Sequence, residues 1–163
     1  MKKETKNNQI FNKEALTIPR TEQEFKIFEK MWNESEQLKY FGYQIDLSDP
    51  EHPTGVIPKV EDRHLGGMGS AYVNGAIIAA LCDLTIGLTG SLNLGCAVKG
   101  TAELNIRYLN PLKSKSVRAI GKLDRASKHI AFASAEVVDD QGKVCAIAHG
   151  IVACSSKDRN NAL

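Results

Sequence analysis

The sequence predicts an α+β fold in which a curved antiparallel sheet wraps around one long apolar helix. The stretch "VNGAIIAALCDLTIG", residues 73–87, is almost wholly apolar and long enough for a core helix. Two short strand-like segments precede it, and four segments of strand character follow it. One apolar helix between two groups of strands suits a single sheet that packs on a helix.

Composition and charge narrow the classes of function. The 163 residues are 42% hydrophobic and 25% charged, with a net charge of +2, which does not indicate binding to nucleic acid or to a membrane surface. The four cysteines lack CxxC spacing and predict buried, reduced thiols, and no uncharged apolar run reaches the roughly 18 residues of a membrane span. We therefore expect a cytoplasmic protein that needs no metal and no cofactor.

The chain divides into three parts in this prediction. We expect residues 1–20 to form a flexible N-terminal segment, residues 21–156 a single domain and residues 157–163 a C-terminal tail. Thr21 resembles a helix N-cap, and Glu24 completes a capping box, so a helix is predicted over about 21–40. Four apolar residues at helical spacing predict its docking face: Phe25, Phe28, Met31 and Trp32.

The predicted strands lie on both sides of the central helix. Before it, "FGYQIDLS" and "TGVIPKVED" predict two strands joined by a polar turn. After it, "TAELNIRYLNP" alternates apolar and polar residues and ends at Pro111. The segments "SVRAIGKLD", "HIAFASAEVV" and "KVCAIAHGIVACS" predict three more strands, with tight turns at "RASK" and "DDQG".

One carboxylate, Asp83, interrupts the apolar helix. A helical wheel places a stripe on one side that we expect to face the sheet: Ile77, Leu81, Leu84 and Leu88. The face of Asp83 instead carries small residues, which would let a partner subunit or a substrate approach: Ala76, Ala79, Ala80, Gly87 and Gly90. The alternative is a structural carboxylate that accepts hydrogen bonds from backbone donors or an arginine.

The start of the helix offers a second candidate. Asn74 suits the N-cap, and the Gly75 N–H at the positive end of the helix dipole would polarise a carbonyl, although Gly75 also suits a simple loop-to-helix junction. Gly75 and Asp83 are eight residues apart, about 12 Å along a helix, which is too far for both to act on one carbonyl carbon. Two copies with antiparallel central helices would bring Gly75 of one chain to Asp83 of the other.

At these positions the sequence resembles the PaaI-like branch of the hotdog-fold acyl-CoA thioesterases. Asn74-Gly75-Ala76 stands where that family has His-Gly-Gly, and Leu81-Cys82-Asp83 matches its Leu-x-Asp. The likeness covers roughly residues 40–155 and includes a strand that ends in Tyr-x-x-Pro. It implies a hotdog fold, hydrolysis of a small or medium acyl-CoA, coenzyme A only as part of the substrate, and a homodimer that assembles as a dimer of dimers.

The resemblance also implies roles for individual residues. Asp83 would be the general base that activates water, or alternatively the nucleophile, and the Gly75 N–H would polarise the thioester carbonyl. Thr101 occupies a Ser/Thr position that would hold the water or orient the carboxylate, or it is an ordinary strand residue. Asn74 replaces the family histidine and Ala76 the second glycine, and an asparagine cannot exchange protons near neutral pH.

Basic residues are the candidates for binding the phosphates of coenzyme A. Two further candidates for substrate binding, Arg63 and His64, open the glycine-rich loop "RHLGGMGSAY" and would either fold back to the helix start, where they would compensate for the missing family histidine, or stay solvated. Residues 107–129 hold seven lysines and arginines against one acid, and four of them would line the mouth of the site or form a solvated strand face: Arg118, Lys122, Arg125 and Lys128.

Two other functions fit the same sequence. One is a non-catalytic acyl-CoA or fatty-acyl sensor that keeps the pocket without the histidine. The other is a hotdog hydratase, an activity that generally needs an Asp–His pair, which this helix lacks.

Overall fold

A six-stranded antiparallel sheet packs against one long helix, as predicted. The computed structural model describes residues 18–94 and 98–154, so most of the predicted N-terminal segment and the whole predicted tail lie outside the described residues. The elements in chain order are α1 (Glu22–Asn33), α2 (Glu36–Phe41), β1 (Gln44–Asp46), β2 (Thr54–Ile57), a 3-10 turn (Asp62–His64), α3 (Gly75–Asn93), β3 (Val98–Tyr108), β4 (Val117–Ala126), β5 (Ile130–Val138) and β6 (Val144–Cys154). The strand order is β1-β2-β4-β5-β6-β3, which leaves β3 at an edge.

The N-terminal helical region contains two helices where one was predicted. The capping box is present, because Thr21 Oγ1 accepts from the Glu24 N–H at 3.3 Å and Glu24 Oε2 accepts from the Thr21 N–H at 2.9 Å. The prediction of a single helix over 21–40 is wrong. Ser35 caps a second helix, because its Oγ accepts from the Leu38 N–H at 3.4 Å. Of the predicted docking face, Phe28 is buried, Phe25 and Trp32 are partly buried, and Met31 is exposed.

Glycines in the sheet let α3 approach closely. A side chain at Gly150 on β6 would place its Cβ 2.9 Å from Ile86 Cγ2, and one at Gly121 on β4 would overlap Thr89 and Thr85. The two threonine hydroxyls are satisfied inside the helix, since Thr85 Oγ1 donates to the Leu81 carbonyl and Thr89 Oγ1 to the Thr85 carbonyl, both at 2.8 Å. The close contact between helix and sheet therefore leaves neither of these two hydroxyls unpaired.

The predicted core stripe of α3 is only partly correct. Leu81 and Leu88 are buried, but Ile77 and Leu84 are only half-buried. The side that faces the sheet is made of Ile78, Leu81, Cys82, Thr85, Ile86 and Thr89. The prediction missed this rotation because it counted only apolar side chains, whereas buried threonines occupy the centre of the contact.

Gly90 was expected on the face of Asp83, and that placement is wrong as well. A side chain at Gly90 would collide with Val152 on β6. Gly90 is buried within the core because the C-terminal part of α3 lies directly against β6.

The cysteines only partly follow the prediction of reduced, buried thiols. Cys82 and Cys145 are free and buried. Cys154 is disulfide-bonded, and Cys96 lies outside the described residues. Because disulfides are rare in the cytoplasm, the cysteines no longer support the expected location.

The length and composition of α3 alone would allow it to cross a membrane. In the fold this helix is the core helix, and its side that faces the sheet is buried. The same two properties, length and an apolar composition, are needed by a helix that a sheet wraps around.

Candidate active site

Asn74 fixes the start of α3. Its Oδ1 accepts from the Ala76 N–H at 2.8 Å, which confirms Asn74 as the N-cap. Its backbone is held on both sides, because its N–H donates to the His64 carbonyl at 2.8 Å and its carbonyl accepts from the Ile78 N–H at 3.1 Å. The Ala76 N–H is thus committed to the cap and is not available to a ligand.

The Gly75 N–H is the available donor at this helix start. Gly75 is the first residue of α3 and is half-buried, and its N–H has no acceptor in the part of the chain that the structure describes. The positive end of the helix dipole lies at this N–H, where it favours an oxygen that carries negative charge. Gly75 therefore has the polarity and the accessibility that the sequence prediction requires.

Asp83 is exposed on the side of α3 that faces away from the sheet. Its carboxylate has no hydrogen bond or ion pair within residues 18–94 and 98–154. Ala76, Ala80 and Gly87 share this side of the helix, and none of them is buried. The alternative of a structural carboxylate held by donors of its own chain finds no support in these residues.

One chain does not bring Asp83 to Gly75. They lie eight residues apart on the same straight element, which corresponds to about 12 Å of helix rise. Thr101, by contrast, lies on the same side of α3 as Asp83. Gly87 follows Asp83 by one helical turn, and a Cβ added at Gly87 would lie 3.8 Å from Thr101 Oγ1. The structure thus brings Thr101 to the face of Asp83 and leaves Gly75 two turns away.

The two loop residues proposed for substrate binding are used within the fold. His64 is buried, its Nδ1 accepts from the Glu61 N–H at 2.9 Å and its Nε2 donates to the Phe41 carbonyl at 2.8 Å. Arg63 donates to the Tyr40 carbonyl at 2.8 Å and pairs with Glu61 at 2.9 Å. Both side chains tie the 3-10 turn to neighbouring segments and do not fold back to the helix start.

The four basic residues of β4 and its turn are spread over the sheet. Arg118 and Lys122 lie on the face opposite α3, because Ala119 and Gly121 between them face the helix, and Arg118 Nη2 lies 3.5 Å from Asp46 Oδ2. Arg125, near the end of β4, and Lys128, in the turn before β5, are both exposed. Within one chain, the sheet separates Arg118 and Lys122 from Asp83.

Two tyrosines at the helix start were not assigned from the sequence. Tyr108, the last residue of β3, donates its hydroxyl to the Gly75 carbonyl at 2.8 Å, and Tyr43 donates to the Ile77 carbonyl at 2.8 Å. Burial raises the pKa of both phenols, with the neighbouring Cys82 thiol as the second cause, so both stay proton donors at neutral pH. The signal for Tyr108 in the sequence is the Tyr-x-x-Pro ending of β3.

These groups suit the chemistry of an acyl carbonyl. An exposed carboxylate can take a proton from water, and an unengaged N–H at a helix start can stabilise an oxyanion. Across the described ranges, no three side chains of the His, Cys, Asp and Glu types converge as metal ligands.

Known proteins that are similar to this chain include thioesterases. Residues 71–146 match the family model of the thioesterase superfamily. A thioesterase of Haemophilus influenzae is 18% identical, with a TM-score of 0.71 over 85% of this chain and 93% of that one. The PaaI protein of E. coli is 18% identical, with a TM-score of 0.68 over 82% of this chain and 94% of that one.

A mutant of the phenylacetic acid degradation protein PaaI of Thermus thermophilus is 24% identical, with a TM-score of 0.64 over 74% of this chain and 100% of that one. No match was found among curated proteins. The structures share the hotdog fold with this chain, so the predicted fold is confirmed. The chain thus has the hotdog fold, and its residues 71–146 are similar to the thioesterase superfamily.

Proposed function

We propose that the protein hydrolyses the thioester of a small or medium acyl-CoA, in a site shared by two copies of the chain. The observation that carries the proposal is that two groups on α3, the Gly75 N–H and the Asp83 carboxylate, have no partner among the described residues. The thioesterases and PaaI proteins with the same fold support the class of reaction.

The reaction assigns one step to each group. The Gly75 N–H of one protomer donates to the thioester carbonyl oxygen, while Asp83 of the partner takes a proton from a water molecule whose oxygen attacks the carbonyl carbon. The tetrahedral intermediate then expels the coenzyme A thiolate, which takes up the proton, and the carboxylic acid leaves. Thr101 suits the role of holding the water, because its hydroxyl faces α3 near Asp83. Direct attack by Asp83 is the alternative route.

The edge strand supports the shared site. β3 is 11 residues long, and within residues 18–94 and 98–154 it pairs only with β6, so these residues leave one side of its backbone open for a second strand. Two β3 strands paired across a two-fold axis would continue the sheet and place the two α3 helices antiparallel. The further assembly into a dimer of dimers is part of the proposal and is based on the family resemblance.

For the phosphates of coenzyme A we favour Arg125 and Lys128 over the other basic residues. Arg118 and Lys122 lie behind the sheet, and Arg63 and His64 are engaged within the fold. Arg125 and Lys128 are exposed where β4 ends and the turn to β5 follows.

The competing function is a sensor that binds acyl-CoA without hydrolysing it. The experiment measures free-thiol release from acetyl-, butyryl- and hexanoyl-CoA with the wild type, Asp83→Asn and the control Asp140→Asn. Asp140 lies in the β5–β6 turn, where its Oδ2 accepts from the Lys115 N–H at 3.1 Å, a bond that asparagine can keep. We expect Asp83→Asn alone to lose activity. If all three proteins bind acyl-CoA tightly and none of them releases free thiol, the result would support the sensor.

A further inference from the structure

The peptide group that carries the Gly75 N–H is held on both sides. Its carbonyl belongs to Asn74 and accepts from the Ile78 N–H at 3.1 Å. The preceding peptide donates through the Asn74 N–H to the His64 carbonyl at 2.8 Å. In the Asn74–Gly75 peptide, the carbonyl is thus bonded, and only the Gly75 N–H lacks a partner among the described residues.

The following peptide, between Gly75 and Ala76, is held at both ends by side chains. Its N–H donates to Asn74 Oδ1 at 2.8 Å, and its carbonyl accepts from Tyr108 Oη at 2.8 Å. Glycine has the largest backbone freedom of any residue, so the direction of the Gly75 N–H relative to the helix depends on how firmly both neighbouring peptides are fixed. Asn74 and Tyr108 supply this restraint for the second peptide.

Tyr108 comes from a different element than the helix. It ends β3, opposite the buried Ala146 of β6, and it connects the edge strand to the first residue of α3. Tyr43 makes the same kind of bond to the Ile77 carbonyl, two residues further along, where the peptide does not adjoin Gly75. The chain therefore contains a matched pair of phenols, of which only one contacts the peptide next to the free N–H.

We infer that Tyr108 is a positioning residue, which orients the Gly75 N–H toward the substrate carbonyl by fixing the Gly75–Ala76 peptide. The inference rests on the proposed thioester hydrolysis. Tyr108 itself needs no contact with the reacting atoms, because its hydroxyl is already bonded to the Gly75 carbonyl.

The experiment compares Tyr108→Phe with Tyr43→Phe, since each substitution removes one hydroxyl and keeps the ring. Steady-state hydrolysis of the best acyl-CoA substrate gives kcat and KM, and heteronuclear NMR follows the amide resonances of Gly75 and Ala76. We expect Tyr108→Phe to lower kcat by about tenfold with KM within about twofold, because the lost restraint acts in the transition state.

Tyr43→Phe should keep kcat and leave the Gly75 and Ala76 resonances in place. Equal kcat in Tyr108→Phe and the wild type, or an equal loss in Tyr43→Phe, would overturn the inference. If the wild type hydrolyses no acyl-CoA, the proposed function fails. The amide resonances then decide whether Tyr108 fixes the Gly75–Ala76 peptide. Shifted Gly75 and Ala76 resonances in Tyr108→Phe would uphold the positioning, and unchanged ones would refute it.

Discussion

Gly75 and Asp83 lie two helical turns apart on α3, and in the described chain neither the Gly75 N–H nor the Asp83 carboxylate has a partner. In the proposed dimer, a single protomer would carry half of each of two sites. The proposal would explain why a helix that is otherwise apolar keeps an exposed carboxylate, and it leads to predictions that test Gly75 and Asp83 separately.

The Gly75 N–H can be removed without disturbing the helix. Proline is favoured at the first helical position, and Asn74, at φ −63° and ψ 137°, already has the backbone conformation that a following proline requires. Gly75→Ala is the matched control, because it adds the same Cβ, 3.5 Å from the Tyr108 ring, but keeps the N–H. We expect Gly75→Pro to lower kcat by about 100-fold or more and Gly75→Ala to keep most activity. Similar activities of the two variants would exclude this N–H as the oxyanion donor.

The shared site predicts complementation between inactive variants. A mixed dimer of Asp83→Asn and Gly75→Pro chains contains one intact site, made from the Asp83 of one chain and the Gly75 of the other. If the chains exchange freely, half of the dimers are mixed and each has one of two sites, so about a quarter of the wild-type rate should return. Unfolding and refolding the equimolar mixture, with each variant refolded alone as the control, provides the measurement. No recovery in a mixture that demonstrably forms mixed dimers would exclude a site made from Gly75 of one chain and Asp83 of the other.

Cys82 predicts a loss of stability at alkaline pH. Burial, with Asp83 as the second cause, raises the pKa of this thiol from 9.0 to about 12. Because the folded pKa lies above the unfolded one, the stabilisation is complete below about pH 9 and is lost as the pH rises toward 12. The free energy of unfolding of the wild type should fall by about 1 kcal/mol more between pH 7 and pH 10 than that of Cys82→Ala. Urea denaturation at both pH values tests this, and parallel losses in the two proteins would contradict it.

The glycines that face α3 predict a second difference in stability. Gly121→Ala would push a methyl group into Thr89 and to within 2.8 Å of the Pro53 carbonyl, so we expect a loss of about 2 kcal/mol or more. Gly87→Ala is the control on the helix itself, since its Cβ would meet only Thr101 Oγ1, at 3.8 Å. The control should be as stable as the wild type or slightly more so, because alanine favours the helix. Thermal unfolding of both variants measures the difference, and an equal loss in both would refute close packing at Gly121 as its cause.

The sequence was sufficient to predict the order of the elements, because turn residues separate the strand segments, β3 alternates apolar and polar residues, and residues 73–87 are apolar almost throughout. It also placed Asn74 at the N-cap and Asp83 away from the sheet, since caps and helical faces follow from local spacing. The break at Ser35 was missed because the apolar pattern continues through it. Tyr108 and His64 were not assigned correctly, because their partners, the Gly75 and Phe41 carbonyls, lie 33 and 23 residues away in the chain.

The contact of Gly121 and Gly150 with the threonine side of α3 also determines where the helix sits along its own axis. Each glycine provides a recess that fits one part of the helix, so a slide by one turn, about 5.4 Å, would bring other side chains against positions that have no room for them. Such a slide would also separate Gly75 from the Tyr108 hydroxyl. Residues deep in the core, which never meet a substrate, thus set the longitudinal position of the N–H that would bind it.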